Sequence, residues 1–88
     1  MKTIYKYELE ITDTQEISIP PDAAIFHCHM QGGSLCVWAR TDSTAVGAPR
    51  TFYIFGTGHN LTRLPDSALY VGTAHDPRGF VWHVWVAP

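Results

Sequence analysis

The sequence predicts an all-β domain, and three features of it do so. Thr3 to Ile11 alternates, with Tyr5, Tyr7, Leu9 and Ile11 on one face and Lys6, Glu8 and Glu10 on the other, the period of a half-covered strand. Gly32-Gly33 stands between two apolar alternating runs, the signature of a tight two-residue hairpin. No segment keeps apolar residues at helical spacing over three turns. The 88 residues are expected to form one domain, residues 1–88. It should be a small, mostly antiparallel sandwich or partly open barrel of six or seven short strands, mostly joined as neighbours.

The elements follow in order. Thr12-Asp13-Thr14 interrupts the first strand. Gln15 to Ile19 reads as a short second strand with Ile17 and Ile19 inward, ended by Pro20-Pro21-Asp22 because proline supplies no ladder donor. Ala24 to Gln31 and Ser34 to Thr41 are the arms of the hairpin. A two-residue loop sets Met30 against Leu35, Cys28 against Val37 and Phe26 against Ala39 on one apolar face. On the other face His29 then lies across from Cys36, and His27 across from Trp38.

Residues 42–49 form a polar, small-residue loop. Arg50 to Gly56 is an aromatic-rich strand, followed by a turn at Thr57-Gly58-His59-Asn60 and an irregular stretch through Asp66. Leu69 to His75 is a strand. Asp76-Pro77-Arg78-Gly79 has the residues of a type I turn, with Asp first, Pro second and Gly fourth. Phe80 to Val86 is the last strand. Phe80, Trp82, Val84 and Val86 share one face, while Val81, His83 and Trp85 share the other. Two apolar faces make this a central strand.

Composition excludes several classes. Six Lys and Arg against eight Asp and Glu give a net charge of −2, so no basic field stands ready for a phosphate backbone and nucleic acid is not the expected partner. An aromatic β surface could still stack single-stranded bases, an alternative against which the scarcity of Lys and Arg counts. The N-terminal segment carries no long apolar run, so no signal peptide or membrane span is expected and the cytoplasm is the default location. Two cysteines are too few for a disulfide scaffold, and the hairpin register puts Cys28 and Cys36 on opposite faces.

Met1-Lys2-Thr3-Ile4-Tyr5-Lys6-Tyr7, Leu35-Cys36-Val37-Trp38-Ala39, Ile54-Phe55-Gly56-Thr57-Gly58-His59, Tyr70-Val71-Gly72-Thr73 and Phe80-Val81-Trp82-His83-Val84-Trp85 together cover most of the chain. In these segments the sequence resembles a small family of proteins of unknown function from bacteria and their phages. The resemblance implies a small β domain, frequently phage-encoded, and attaches no catalytic activity to it. Residues 42–49 and the pair His27 and His29 look like features of this member rather than of the family pattern.

Five histidines suggest sites. His27 and His29 leave one strand face, with Cys36 opposite, so three potential zinc ligands share a surface. A fourth is not evident, and the simpler reading is a polar sheet face beside Trp38. No cofactor and no bound metal are therefore expected. In Gly56-Thr57-Gly58-His59-Asn60 two readings compete: a turn held by its own side chains, or a backbone opened by glycine to a ligand that His59 contacts. The nucleophile–base pair offered by Cys36 and His29 lacks an orienting third group, so an enzyme is not expected.

The surplus of aromatic residues is the strongest functional signal. Trp38, Tyr53, Trp82 and Trp85 are the candidate anchors of a protein interface, since Tyr and Trp bury large area and keep a polar handle. The expected function is a protein-interaction module; the resemblance alone implies that it takes the form of a phage-encoded accessory protein or inhibitor of a host protein. A small-molecule or metal-binding β domain using His27, His29, Cys36 and His59 is the alternative. Exposed strand edges make a homodimer a reasonable expectation.

Overall fold

The computed structural model describes residues 1–88 and contains seven strands. They are β1 (Lys2–Leu9), β2 (Thr14–Ile19), β3 (Ala24–Gln31), β4 (Ser34–Asp42), β5 (Ala48–Gly56), β6 (Leu69–His75) and β7 (Val81–Val86). One antiparallel sheet has the order β1-β4-β3 and the other β2-β5-β7-β6. The sheets do not close into a barrel; they pack as a sandwich. There is no helix, and so none that could cross a membrane.

The connectivity corrects the expectation that most strands join as neighbours. Only β3–β4 and β6–β7 are hairpins; β1 pairs with β4, β2 with β5, and β5 with β7. The chain crosses between sheets after β1, β2 and β4. Each sheet thereby contributes to a shared core: Leu9, Cys28, Leu35, Val37 and Ala39 from the first, and Ile19, Phe52, Ile54, Ala74, Val84 and Val86 from the second. The central position of β7 in its sheet agrees with its two apolar faces.

Gly32 and Gly33 both have positive φ, 59° and 83°, as a primed hairpin turn demands. The register sets Met30 against Leu35, Cys28 against Val37, His29 against Cys36 and His27 against Trp38. Phe26 is a correction. A bulge between Ile25 and His27 gives the place opposite Ala39 to Ile25. Phe26 is the unpaired extra residue and is 53% exposed instead of lying in the core.

Two other apolar residues leave their expected faces. β1 stops at Leu9 because the Gln15 side chain takes over the backbone of Glu10. Its Oε1 accepts from the Glu10 N–H at 3.0 Å and its Nε2 donates to the Glu10 carbonyl at 2.7 Å. The chain bends there and Ile11 is left exposed. Phe80 precedes β7 and stays outside the core. Its ring stacks on Trp82 at 5.6 Å, with the Arg78 guanidinium 5.7 Å from its centroid.

The Asp76–Gly79 turn is closed by the Gly79 N–H donating to the Asp76 carbonyl at 2.9 Å, with Gly79 at φ 96°. The buried Asp76 carboxylate accepts from the Arg78 backbone N–H at 2.9 Å and from its guanidinium at 2.7 Å. The Trp82 indole N–H approaches it at 3.5 Å. The Arg78 hydrogen bonds hold the Asp76 carboxyl well below the usual carboxylate range. This turn thus fixes where β7 begins and ties Trp82 to the hairpin end.

Candidate functional site

The outer face of the four-stranded sheet is built from alternate residues of β2, β5, β7 and β6. Register places Thr14, Tyr53, Trp85 and Tyr70 in one cross-strand row, and Phe55, His83 and Thr73 in the next. Neither row contains a charged side chain. Trp85 sits at the centre, edge-on to Phe55 at 6.2 Å and to Tyr70 at 5.5 Å. Tyr70 is 59% exposed, and Tyr53 and Trp85 are only half-buried. Phe55 is the buried floor of this surface.

His83 is the polar centre of the same face. Its Nε2 lies 2.8 Å from the Thr57 hydroxyl and its Nδ1 lies 3.1 Å from the Thr73 hydroxyl, which also bonds Tyr70. A neutral imidazole donates from one nitrogen and accepts at the other, so the two threonines take opposite roles. The ring is fixed at both ends. A hydroxyl within reach of an imidazole is the first half of a nucleophile–base pair. Here, however, Thr73 occupies the place of an orienting carboxylate, and a neutral hydroxyl supplies no charge to stabilise an imidazolium. Both ring nitrogens are thereby engaged within the fold.

The segment after β5 forms the rim. The His59 N–H donates to the Gly56 carbonyl at 3.1 Å, while the Gly56 N–H donates to His59 Nδ1 at 3.0 Å. The turn is therefore held by its own histidine, with the ring proton on Nε2, and Gly58 supplies a φ of 86°. A side chain at Gly56 would meet the His59 ring at 2.9 Å. Between this rim and the sheet lies a cleft of about 250 Å³ lined by Phe55, Thr57, His59, Leu61, His83 and Trp85 among others.

The residues singled out from the sequence are divided among several surfaces. Tyr53 and Trp85 come together on the face just described. Trp82 is on the inner side of β7, against the core and beside the His59 ring at 6.5 Å. Trp38 is on the outer face of the other sheet, 5.8 Å from His27. There His27 and His29 stack at 6.1 Å. Cys36 is fully buried between them and β1, its thiol aimed at the Ser34 carbonyl at 3.6 Å. Burial raises the Cys36 thiol pKa. No three His, Cys, Asp or Glu side chains stand where they could hold one metal ion. His59 lies in the other sheet's rim, so the four candidate ligands do not form one site.

Sequence reasoning missed Thr57, Tyr70, Thr73 and His83 as a unit. The available signal was parity. Thr73 and His83 fall on outward positions of neighbouring strands and Thr57 directly follows β5, but the β5–β7 pairing that brings Thr57 to His83 skips β6 and is not readable from spacing.

Fold and site together describe a small two-sheet β domain that carries, on one face, two uncharged cross-strand rows of aromatic and hydroxyl-bearing side chains. The chain belongs to DUF7352, a domain of unknown function whose family model matches residues 1–88. No curated protein and no solved structure matches it.

Proposed function

We propose that the domain is a protein-interaction module that docks through the outer face of its four-stranded sheet, with Trp85 as the central anchor. The observation that carries this reading is the uncharged row Tyr53–Trp85–Tyr70, left open on a central part of the sheet. Interface hot spots are enriched in Trp and Tyr and depleted of charge at their core. The hydroxyls of Tyr70 and Thr57 give such a surface polar handles at its edge. The resemblance to small proteins of bacteria and their phages supports a phage-encoded accessory protein or inhibitor, acting on a host protein in the cytoplasm.

The test is paired capture from host extract with the wild-type domain and Trp85→Ala, followed by equilibrium binding of each isolated partner. The expected result is a partner whose affinity falls by about 2 kcal/mol or more in the variant, with the variant still folded. A partner held equally by both would overturn the assignment of this face. The second reading is a small neutral ligand in the cleft beside His83, favoured by the Thr57 hydroxyl at its wall. Quenching or a shift of Trp85 fluorescence by a low-molecular-weight extract fraction would favour it.

A further inference from the structure

The geometry points to a second copy of this chain as the occupant of the free edge of β1. β1 pairs with β4 alone. The Ser43 N–H donates to the Met1 carbonyl at 2.9 Å and Lys2 stands opposite Asp42. In an antiparallel ladder this phase turns the backbone groups of Thr3, Tyr5, Tyr7 and Leu9 toward β4. Those of Lys2, Ile4, Lys6 and Glu8 point outward, unpaired within the fold.

An open edge of this length is ordinarily blunted by lysine or proline. β1 contains no proline, and both of its lysines reach back over the sheet: Lys6 Nζ donates to Gln31 Oε1 at 2.9 Å, and Lys2 Nζ lies 3.8 Å from the Asp22 carboxylate in an exposed pair that a better-placed partner can replace. The outward edge is left with Ile4, 59% exposed, and on the other face Tyr5, 44% exposed. Tyr5 stands opposite the buried Ala39 on the core side of its sheet, and nothing in the protomer finishes covering it.

Charge and overlap together select one register: pairing about Tyr7 would set Lys6 against Glu8 but would join only residues 5–9 of two strands that run Lys2–Leu9. Pairing two β1 strands antiparallel about Lys6 sets Lys6 against its own copy, and pairing about Ile4 sets Lys2 against Lys6. Both place like charges opposite, which destabilises a ladder. Pairing about Tyr5 sets Lys2 against Glu8 at both ends and Ile4 against the Lys6 stem. It also puts the outward groups of Lys2, Ile4, Lys6 and Glu8 directly opposite one another, so they exchange hydrogen bonds in pairs. The two Tyr5 rings then meet at the symmetry axis in a non-hydrogen-bonded pair, where side chains approach most closely. The two three-stranded sheets become one continuous sheet, and the interface is isologous, as a closed dimer requires.

Native mass spectrometry and sedimentation test this on the full chain. The wild type is expected to dimerise at high micromolar concentration. Lys2→Glu and Glu8→Lys should each raise the dissociation constant about tenfold or more, because each places like charges at both ends of the seam. Mixing the two variants should restore a dimer that is preferentially heterodimeric, since the two acidic side chains of one protomer then face the two lysines of the other. Ile4→Pro removes an outward N–H that β4 does not use and should give a monomer. A wild type that stays monomeric, a dimer that survives Ile4→Pro, or a mixture with no heterodimer preference would each overturn the assignment. The charge variants lie on the solvent face, so the mixing experiment stays decisive even where the proline variant fails to fold.

Discussion

Cys28 lies against Gly72 across the two sheets: a β-carbon added at Gly72 would stand 3.0 Å from the Cys28 thiol sulfur. β3 and β6 approach closely there because one side contributes no side chain. Gly72→Ala is therefore expected to destabilise the domain by about 1 kcal/mol or more through overpacking. Cys28→Ala should relieve that cost, so the double variant is more stable than the sum of the single changes implies. Denaturant midpoints of the four proteins measure the coupling; strict additivity would show that the sheets do not meet at this point.

Phe26 and Phe52 should respond very differently to truncation. Phe26 is on the bulge and mostly exposed, whereas Phe52 is fully buried. Phe26→Ala is expected to change stability by less than about 1 kcal/mol, against roughly 3–5 kcal/mol for Phe52→Ala. Equal midpoint shifts in the two variants would place Phe26 in the core after all.

Thr41 is buried with no hydrogen-bond partner for its hydroxyl. Thr41→Val keeps the shape and removes the unsatisfied group. It should raise stability by about 1 kcal/mol. A lower denaturation midpoint in this variant would mean that the hydroxyl has a partner, such as an ordered water.

Asp76 makes stability depend on acid. Its folded pKa is depressed, chiefly by hydrogen bonds from Arg78. Its contribution is therefore complete above the unfolded carboxylate pKa of about 4 and is lost as pH falls through the folded value. The stability difference between wild type and Asp76→Asn should be constant near neutrality and shrink steadily below about pH 4. A difference that does not change with pH would exclude the ionised carboxylate as its source.

Both thiols should be inert in the native state. Cys28 and Cys36 are free and buried, and burial pushes the Cys28 thiol up to about 11. The reactive species is the thiolate. A thiol reagent at neutral pH should modify neither residue until denaturant unfolds the domain, and rapid stoichiometric labelling of the folded protein would contradict the burial.

What was legible in the sequence was local. The Gly32-Gly33 turn fixed the partners of Cys28, His29 and Met30, and Asp76 to Gly79 fixed the second hairpin, because both depend on residues next to one another. The Phe26 bulge was not legible: an alternating pattern assumes one residue per partner, and a bulge breaks that count without changing composition. The end of β1 was hidden for a similar reason, since a single Gln15 side chain redirects Ile11. The site was half visible. Trp85 and Tyr53 stood out as aromatic surplus, but bringing His83 between Thr57 and Thr73 requires β7 to insert between β5 and β6, a non-local event.

That same connectivity sets an order of assembly. The β3–β4 and β6–β7 ladders close short loops and can form without the remainder of the chain, whereas β1 must wait for β4, about thirty residues downstream, and pay the larger loop-closure entropy. Kinetically, the hairpins are expected to carry the high φ-values and β1 the low ones. Substitutions in β1 would then act mainly on the unfolding rate. The strand that closes the small sheet last would also be the first to peel away, so the domain's resistance to slow unfolding would reside at its N-terminal edge.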